Sequence, residues 1–222
     1  MSNTGKLSFQ IEVRRVLEIL SNDIYDSPYA LLRENIQNAY DAILMRKQVQ
    51  NRPFEPKINV TIDGNFITIQ DNGIGMNRDV VSNNFWKAGS SGKNNEIAQK
   101  AGVVGTFGIG AMANFGVCKS LRVMTHYIEE DTTIETFALR ESLSITEKCI
   151  DLTSISEIRE PGTEVVAELD DVVEITQLGA IKYLNPYVQY LDIPVFINGN
   201  NINKKKYSEF YDVQSTNLFA SE

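Results

Sequence analysis

The sequence is poor in the residues that build metal and disulfide centres. Among 222 residues it has two cysteines, Cys118 and Cys149, and one histidine, His126. Two cysteines are too few for a disulfide framework and show no paired ligand spacing; a single histidine excludes a multi-histidine metal site. Basic residues are also in deficit, 21 against 29 acidic ones, for a formal charge of −8. That balance disfavours broad contact with nucleic-acid phosphate or anionic lipid. The run Lys204-Lys205-Lys206 reads as a solvated tail. Long apolar runs are missing too. Met1 to Gln10 is polar and lacks the apolar core of a signal peptide. Ala101 to Cys118 carries no charge, but its glycines at 102, 105, 108, 110 and 116, with Thr106 and Asn114, make a poor membrane span. The expectation is a cytoplasmic protein with reduced thiols and no membrane contact.

What remains is an ordinary globular composition, 42% hydrophobic and 23% charged. A chain of this size buries roughly 70% of its unfolded surface, enough for a real core. The reading is one domain over 1–203, with 204–222 a tail or the start of a linker.

Phe9 to Leu20 carries an apolar stripe at helical spacing. Ser27-Pro28 reads as a helix start, a hydroxyl at the cap and proline at the first position, for a helix running to about Gln48. Ile58, Val60 and Ile62, then Asp63-Gly64-Asn65, then Ile67 and Ile69 predict a β-hairpin. A short helix is expected near Arg78 to Phe85, a polar loop over Gly89 to Lys100, and a further helix beginning near Gly108 to Ala111. Leu121 to Ile128, Thr132 to Leu139 and Thr163 to Leu169 read as strands. Leu178 to Leu191 reads as a helix interrupted at Asn185-Pro186, and Ile193 to Ile197 as a last strand closed by Asn198-Gly199-Asn200. Strands arranged as hairpins favour α+β over a doubly wound sheet.

Three segments carry candidate chemistry. On the helix Leu31 to Leu44, the residues Leu32, Ile36, Ala39 and Ile43 fall within about 60° of one another, and Glu34, Asn38 and Asp41 cluster within about 60° on the opposite side. Alone, that polar front reads as a solvated face. In the hairpin, Ile67, Ile69 and Asp71 share parity, so a core-facing strand would deliver Asp71 to the edge of the interior. A buried acceptor there needs a donor. Asn72-Gly73-Ile74-Gly75-Met76 follows, with two glycines where a backbone could approach a flat ligand; alone, Asp-Asn-Gly is turn chemistry. Gly105-Thr106-Phe107-Gly108-Ile109-Gly110 enters an apolar helix whose N-terminus would favour a phosphate. Its G-x-x-G-x-G order is not the dinucleotide fingerprint, and Gly89 to Lys93 does not match the P-loop.

A helix with Glu34, Asn35, Asn38 and Asp41, then Asp71 to Met76, then Gly105 to Gly110, then Gly162-Thr163 ahead of a strand: in this order the chain resembles the GHKL ATPases, the superfamily of gyrase B, heat-shock protein 90, histidine kinases and MutL. Within it the sequence is most similar to the N-terminal domain of heat-shock protein 90 chaperones of the HtpG type, over roughly Leu7 to Ile202. The resemblance implies a Bergerat fold, a two-layer α/β sandwich with a mixed, mostly antiparallel sheet covered by helices on one face. It implies ATP and Mg²⁺ as cofactors and hydrolysis to ADP and phosphate, slow in this domain alone. Glu34 would be the general base, and Asn38 would hold Mg²⁺ through the phosphates. Asp71 would accept the adenine amino group, with Gly73, Gly75 and Met76 near the base and Thr163 supporting Asp71. Asp41, Asn84 and Lys93 complete the implied nucleotide contacts, and Gly105, Phe107, Gly108, Ile109 and Gly110 would cradle the terminal phosphates. ATP would close a lid in a chaperone-like cycle, with client or partner proteins and a homodimer through other domains.

The chain departs from that pattern in places. Ala111 replaces an aromatic residue, Met45 stands where the chaperones carry lysine, the lid from Lys93 to Gly105 is short, and Lys87 competes with Lys93 as the lid lysine. The alternatives are an ATP-gated clamp of MutL or microrchidia type, which the acidic charge disfavours, and a non-hydrolysing nucleotide sensor, which Glu34 disfavours. His126 reads as packed or surface, Trp86 as a core or lid anchor, and Arg33 as an ion-pair partner.

Overall fold

A computed structural model describes residue 12 and residues 27–87, 114–144, 146–156 and 159–203. The first predicted helix, the glycine loop from Gly105 to Gly110, Lys93, and the tail 204–222 lie outside the described residues.

Eight strands form one sheet in the order β5-β4-β3-β6-β2-β1-β7-β8. They are β1 (Ile58–Asp63), β2 (Phe66–Asp71), β3 (Cys118–His126), β4 (Thr133–Leu139), β5 (Asp151–Ile155), β6 (Gly162–Leu169), β7 (Val195–Ile197) and β8 (Asn200–Asn201). Every pairing is antiparallel except β1 with β7. Helix α1 (Ala30–Val49) lies against β1, β2 and β6, and α3 (Gln177–Val188) packs beside α1 and β7. Between them α2 (Arg78–Val80) continues directly into a π-helical turn, Val81–Phe85. This is the expected α+β sandwich with a mixed, mostly antiparallel sheet.

The core follows from two periodicities meeting. Leu32, Ile36, Ala39 and Ile43, the apolar stripe of α1, are each at most 3% exposed. They meet the alternate residues of the sheet: Val60 on β1, Ile67 and Ile69 on β2, Leu121 and Val123 on β3, Val165 and Ala167 on β6. The intervening residues, such as Thr61, Gln70 and Arg122, point to the other, open face. From α3, Ala180, Leu184 and Val188 complete the layer. Asn203 closes it: its side-chain N–H group donates to the carbonyls of Val188, Leu191 and Ile193, while its Oδ1 accepts from the Val195 N–H.

Four expectations are corrected. Helix α1 starts at Ala30, not at Ser27-Pro28; those residues form a preceding turn, in which the Ala30 N–H donates to the Ser27 carbonyl at 3.0 Å. Helix α3 runs through Pro186 without a break. Proline removes a single rung of the ladder, and two residues before the helix ends the remaining bonds suffice: the Gln189 N–H still reaches Asn185 at 3.1 Å. Strand β5 was missing from the sequence reading because it is a short edge strand whose two apolar residues, Leu152 and Ile155, do not alternate. The final turn, Asn198-Gly199, does not end the sheet but folds β8 back on β7. Replacing Ile43, fully buried on α1, by Ala is expected to lower the unfolding free energy by about 2–5 kcal/mol in urea titrations; a smaller loss would mean that the α1–sheet contact is not central to stability.

Candidate functional site

Three adjacent strands end their core-facing rows on a polar residue at the same level. Across β2, β6 and β3 the register sets Ile67 beside Ala167 and Leu121, Ile69 beside Val165 and Val123, and then Asp71 beside Thr163 and Thr125. The Thr125 hydroxyl lies 2.9 Å from that of Thr163, and it accepts from the Met76 N–H at 2.9 Å. Thr125 was not singled out in the sequence. Its signal was the same parity that marked Asp71, a polar residue closing the run Leu121, Val123.

The segment after Asp71 is threaded between helix and sheet. The Ile74 N–H donates to the Ala42 carbonyl of α1 at 3.0 Å, and the Ile128 N–H donates to the Ile74 carbonyl at 3.0 Å. The two glycines have reasons within the protein. A Cβ on Gly73 would sit 2.6 Å from Ala42, and one on Gly75, where φ is +72°, would sit 1.8 Å from the His126 carbonyl oxygen. Both positions therefore exclude any side chain on packing grounds.

Asp71 keeps part of its surface open and shares a cavity of about 250 Å³ with Thr125, Gly162 and Thr163. Removal from water pushes its carboxyl up to about 7. The Gly73 N–H, 2.7 Å from Oδ1, the Thr163 backbone and the charge of Arg46 pull the other way without cancelling it.

The polar front of α1 is not a solvated face. Asp41 is 1% exposed and accepts from Gln37 at 3.0 Å. Glu34 and Asn38 are half-buried. Both contacts of the Arg33 guanidinium go to Glu34 Oε1, at 3.0 and 3.3 Å, and Arg33 also lies over the Tyr187 ring of α3. Behind Glu34, the buried Asn35 amide donates to the Leu31 carbonyl and to Asn114 Oδ1 at 2.7 Å. Glu34, Asn38 and Asp41 do not line the Asp71 cavity, and neither does any other residue of α1; its wall includes Gln70, Met124 and Glu164 from the open face of the sheet.

Of the remaining candidates, Asn84 is half-buried in the π-helical turn and Lys87 is exposed just beyond it. Trp86 is a core anchor, donating to Thr136 Oγ1 at 3.0 Å and flanked by Phe85 and Phe115. His126 is packed, its Nδ1 lying 3.2 Å from the Thr133 hydroxyl. Lys93, Gly105, Phe107, Gly108, Ile109 and Gly110 lie outside the described residues.

An acid at the closing end of a core-facing strand, a glycine-bound loop after it and a carboxylate–amide front on the covering helix thus stand on neighbouring elements. The family model described as "Histidine kinase-, DNA gyrase B-, and HSP90-like ATPase" matches residues 25–170, and the chain belongs to that family. Within it this is an Hsp90-like ATPase domain. It is 30% identical to chaperone protein HtpG of Buchnera aphidicola over 95% of this chain and 40% of that protein. It is 27% identical to a mitochondrial TNF receptor-associated protein 1 homolog of Dictyostelium discoideum over 90% of this chain and 30% of that protein. It is 29% identical to HtpG of Borreliella afzelii, over 88% and 33%. The chain thus spans 30 to 40% of the length of these relatives.

The raised Asp71 carboxyl makes a stability prediction. The native state holds that proton up to about pH 7, while the unfolded chain releases it near the ordinary carboxyl value of 3.8. Between those values the native state binds more protons, so this group's contribution to stability declines as pH rises. Asp71→Asn is expected to gain stability over the nucleotide-free wild type as pH rises from about 4 to about 7, by a few kcal/mol at most. Urea titrations across that range check it, and a pH-independent difference would refute it.

Proposed function

We propose that this domain binds ATP with Mg²⁺ between α1 and the Asp71–Thr163–Thr125 end of the sheet and hydrolyses it to ADP and phosphate. One observation carries the reading: the loop carrying the proposed base acceptor is hydrogen-bonded to the helix carrying the carboxylate front, through Ile74 N–H and the Ala42 carbonyl. Glu34, Asn38 and Ala42 succeed one another at four-residue steps on that helix, so Glu34 stands about 12 Å along the axis from the contact with the Asp71 loop. That is the length scale of a nucleoside triphosphate lying along the helix.

In this reading the ionised Asp71 accepts the adenine amino N–H, and Thr163, tied to Thr125 and through it to Met76, orients the base pocket. Gly73 and Gly75 act by letting the loop approach α1 and β3, and Met76 supplies apolar contact to the base. Asp41 braces the front from within the helix layer, and Asn84 borders it from the turn after α2. Glu34 orients and deprotonates the attacking water once Arg33 yields the carboxylate. The donor chemistry suits Mg²⁺, a hard ion that keeps waters and takes one or two protein oxygens. The described residues contain no group of three acidic, histidine or cysteine side chains able to hold a metal unaided. Asn38 would hold the ion through its amide oxygen together with phosphate, and bound Mg²⁺ would neutralise the charge developing on the transferred group. Lys93 and the amides of Gly105 to Gly110, with Phe107 and Ile109 between them, are assigned to the terminal phosphates on resemblance alone.

The domain spans 1–203 in this proposal, since Asn203 ties off the last described strand, and 204–222 leads onward as a tail or linker. Turnover is slow without the rest of the protein, ATP drives lid closure, and clients and a homodimer belong to the full-length chain. No helix among the described residues is long and apolar enough to cross a membrane; a cytoplasmic site is proposed.

The test separates base, metal and water. Asp71→Asn is expected to lose nucleotide binding in calorimetry, by about a hundredfold or more for a charge-assisted bond left unmatched. Glu34→Ala is expected to retain ATP binding within a fewfold and lose turnover, about a hundredfold or more for a removed general base. Asn38→Ala is expected to bind nucleotide with the same affinity whether or not Mg²⁺ is present. Undiminished hydrolysis in Glu34→Ala, or normal affinity in Asp71→Asn, would reject the corresponding role.

A further inference from the structure

Arg46, near the end of α1, is a buried cation that the polar front does not use. It is 6% exposed, an uncommon position for arginine unless its donors are matched. They are matched mostly by main chain. Nη1 donates to the Asn72 carbonyl at 2.9 Å and to the Pro161 carbonyl at 3.3 Å, and Nε donates to Gln50 Oε1 at 2.7 Å. The guanidinium also lies 4.3 Å over the Phe54 ring. Its one ion-pair partner among the described residues, Glu160, is 4.0 Å away and 92% exposed, so that contact is weak. The two carbonyls belong to the residue after Asp71 and to the residue before Gly162-Thr163. Arg46 therefore spans the two chain segments that carry the acid and its neighbouring hydroxyl, and its charge favours the ionised form of Asp71.

We propose that Arg46 is a positioning residue for base recognition, one that clamps the Asp71 and Thr163 segments together and holds a positive charge behind the Asp71 carboxylate. The inference rests on the assignment of Asp71 to the base. An adenine amino group needs an ionised acceptor, and a protonated carboxyl would present a donor to a donor. Burial favours the protonated form, and the Arg46 charge adds to the Gly73 N–H and the Thr163 backbone in favouring the ionised one. The other charged or titratable groups bordering the Asp71 cavity are Lys57 ahead of β1, His126 on β3, Arg159 and Glu160 ahead of β6, and Glu164 on β6. All of them persist when Arg46 is replaced, so a change in the profile reports Arg46.

The experiment compares Arg46→Lys, which keeps the charge, with Arg46→Gln, which keeps a side-chain N–H donor without charge. Affinity for ADP·Mg²⁺ is measured by calorimetry from about pH 6 to about pH 9; the phosphates titrate identically in every variant, so differences between profiles isolate the protein. The expected result is a rising profile in the wild type, a similar midpoint in Arg46→Lys, and a midpoint moved to higher pH in Arg46→Gln. On the acidic side that costs about tenfold in affinity per pH unit of displacement, and the deficit closes at high pH. The Asp71 carboxyl carbon, followed by NMR in nucleotide-free protein, should show the same displacement. Loss by one constant factor at all pH values, or coincident profiles in Arg46→Gln and the wild type, overturns the proposal. Should Arg46→Gln fail to fold, Arg46→Met removes the charge on a stem of similar reach and is held to the same outcomes. Asp71→Asn serves as the control: if it binds ADP normally the base assignment itself fails, whereas if it loses binding while the Arg46 profiles coincide, only the role of Arg46 fails.

Discussion

The level pairing of Asp71, Thr163 and Thr125 across β2, β6 and β3 is what the rest of the site hangs on. Side chains on a strand alternate faces, so a slip of one residue would turn Asp71 to the open face and Gln70 to the core. The same slip would expose Ile67 and Ile69, which are at most 2% exposed. The hydrophobic core therefore specifies the register, and the register delivers the acid. No separate element is needed to place the carboxylate, because two rows of apolar residues beneath it already do.

The loop after Asp71 is the second constraint. It is held from the helix side by Ala42 and Arg46 and from the sheet side by Thr125 and Ile128. Backbone groups enclosed between two layers must find partners, and here those partners belong to the elements that carry the other candidate residues. A shift of α1 would move Ala42, and with it the loop, as well as Glu34 and Asn38. In the proposed function the base end and the hydrolytic end would thus be mounted on one helix, which suits a reaction that depends on positioning more than on covalent chemistry.

Much of this was legible in the residues, for identifiable reasons. The α1 stripe, the β1–β2 hairpin and the strands around Val123, Ile134 and Val165 have a period that only one kind of element satisfies. Asp71 was legible because its parity tied it to Ile67 and Ile69. The polar front of α1 was harder: Glu34, Asn38 and Asp41 look like a solvated face by periodicity, and only the resemblance to the GHKL ATPases made them a site. That Asp41 is buried depends on layers that one helix cannot reveal. Thr125 and Arg46 were missed for a related reason. A threonine in a strand and an arginine near a helix end are ordinary locally, and their meaning lies in partners 37 and 26 residues away in the chain. Strand β5 escaped because an edge strand has little to bury. The glycines were read as room for a ligand; the structure also packs each against a neighbouring segment, Gly73 against Ala42 and Gly75 against His126.

The acid that makes the site useful also burdens the fold. Asp71 is removed from water by the layers that orient it, and its raised carboxyl shows that the protein's own dipoles only partly replace the lost hydration. A ligand that donates hydrogen bonds to the ionised form supplies what is missing, and a ligand that binds only the native state stabilises that state. In the proposed function, nucleotide occupancy and stability of the Asp71 end of the sheet are therefore linked through one carboxylate. The linkage runs in both directions, since whatever favours ionisation in the empty site, the Gly73 N–H, the Thr163 backbone and then the Arg46 charge, lessens the work the nucleotide must do on entering.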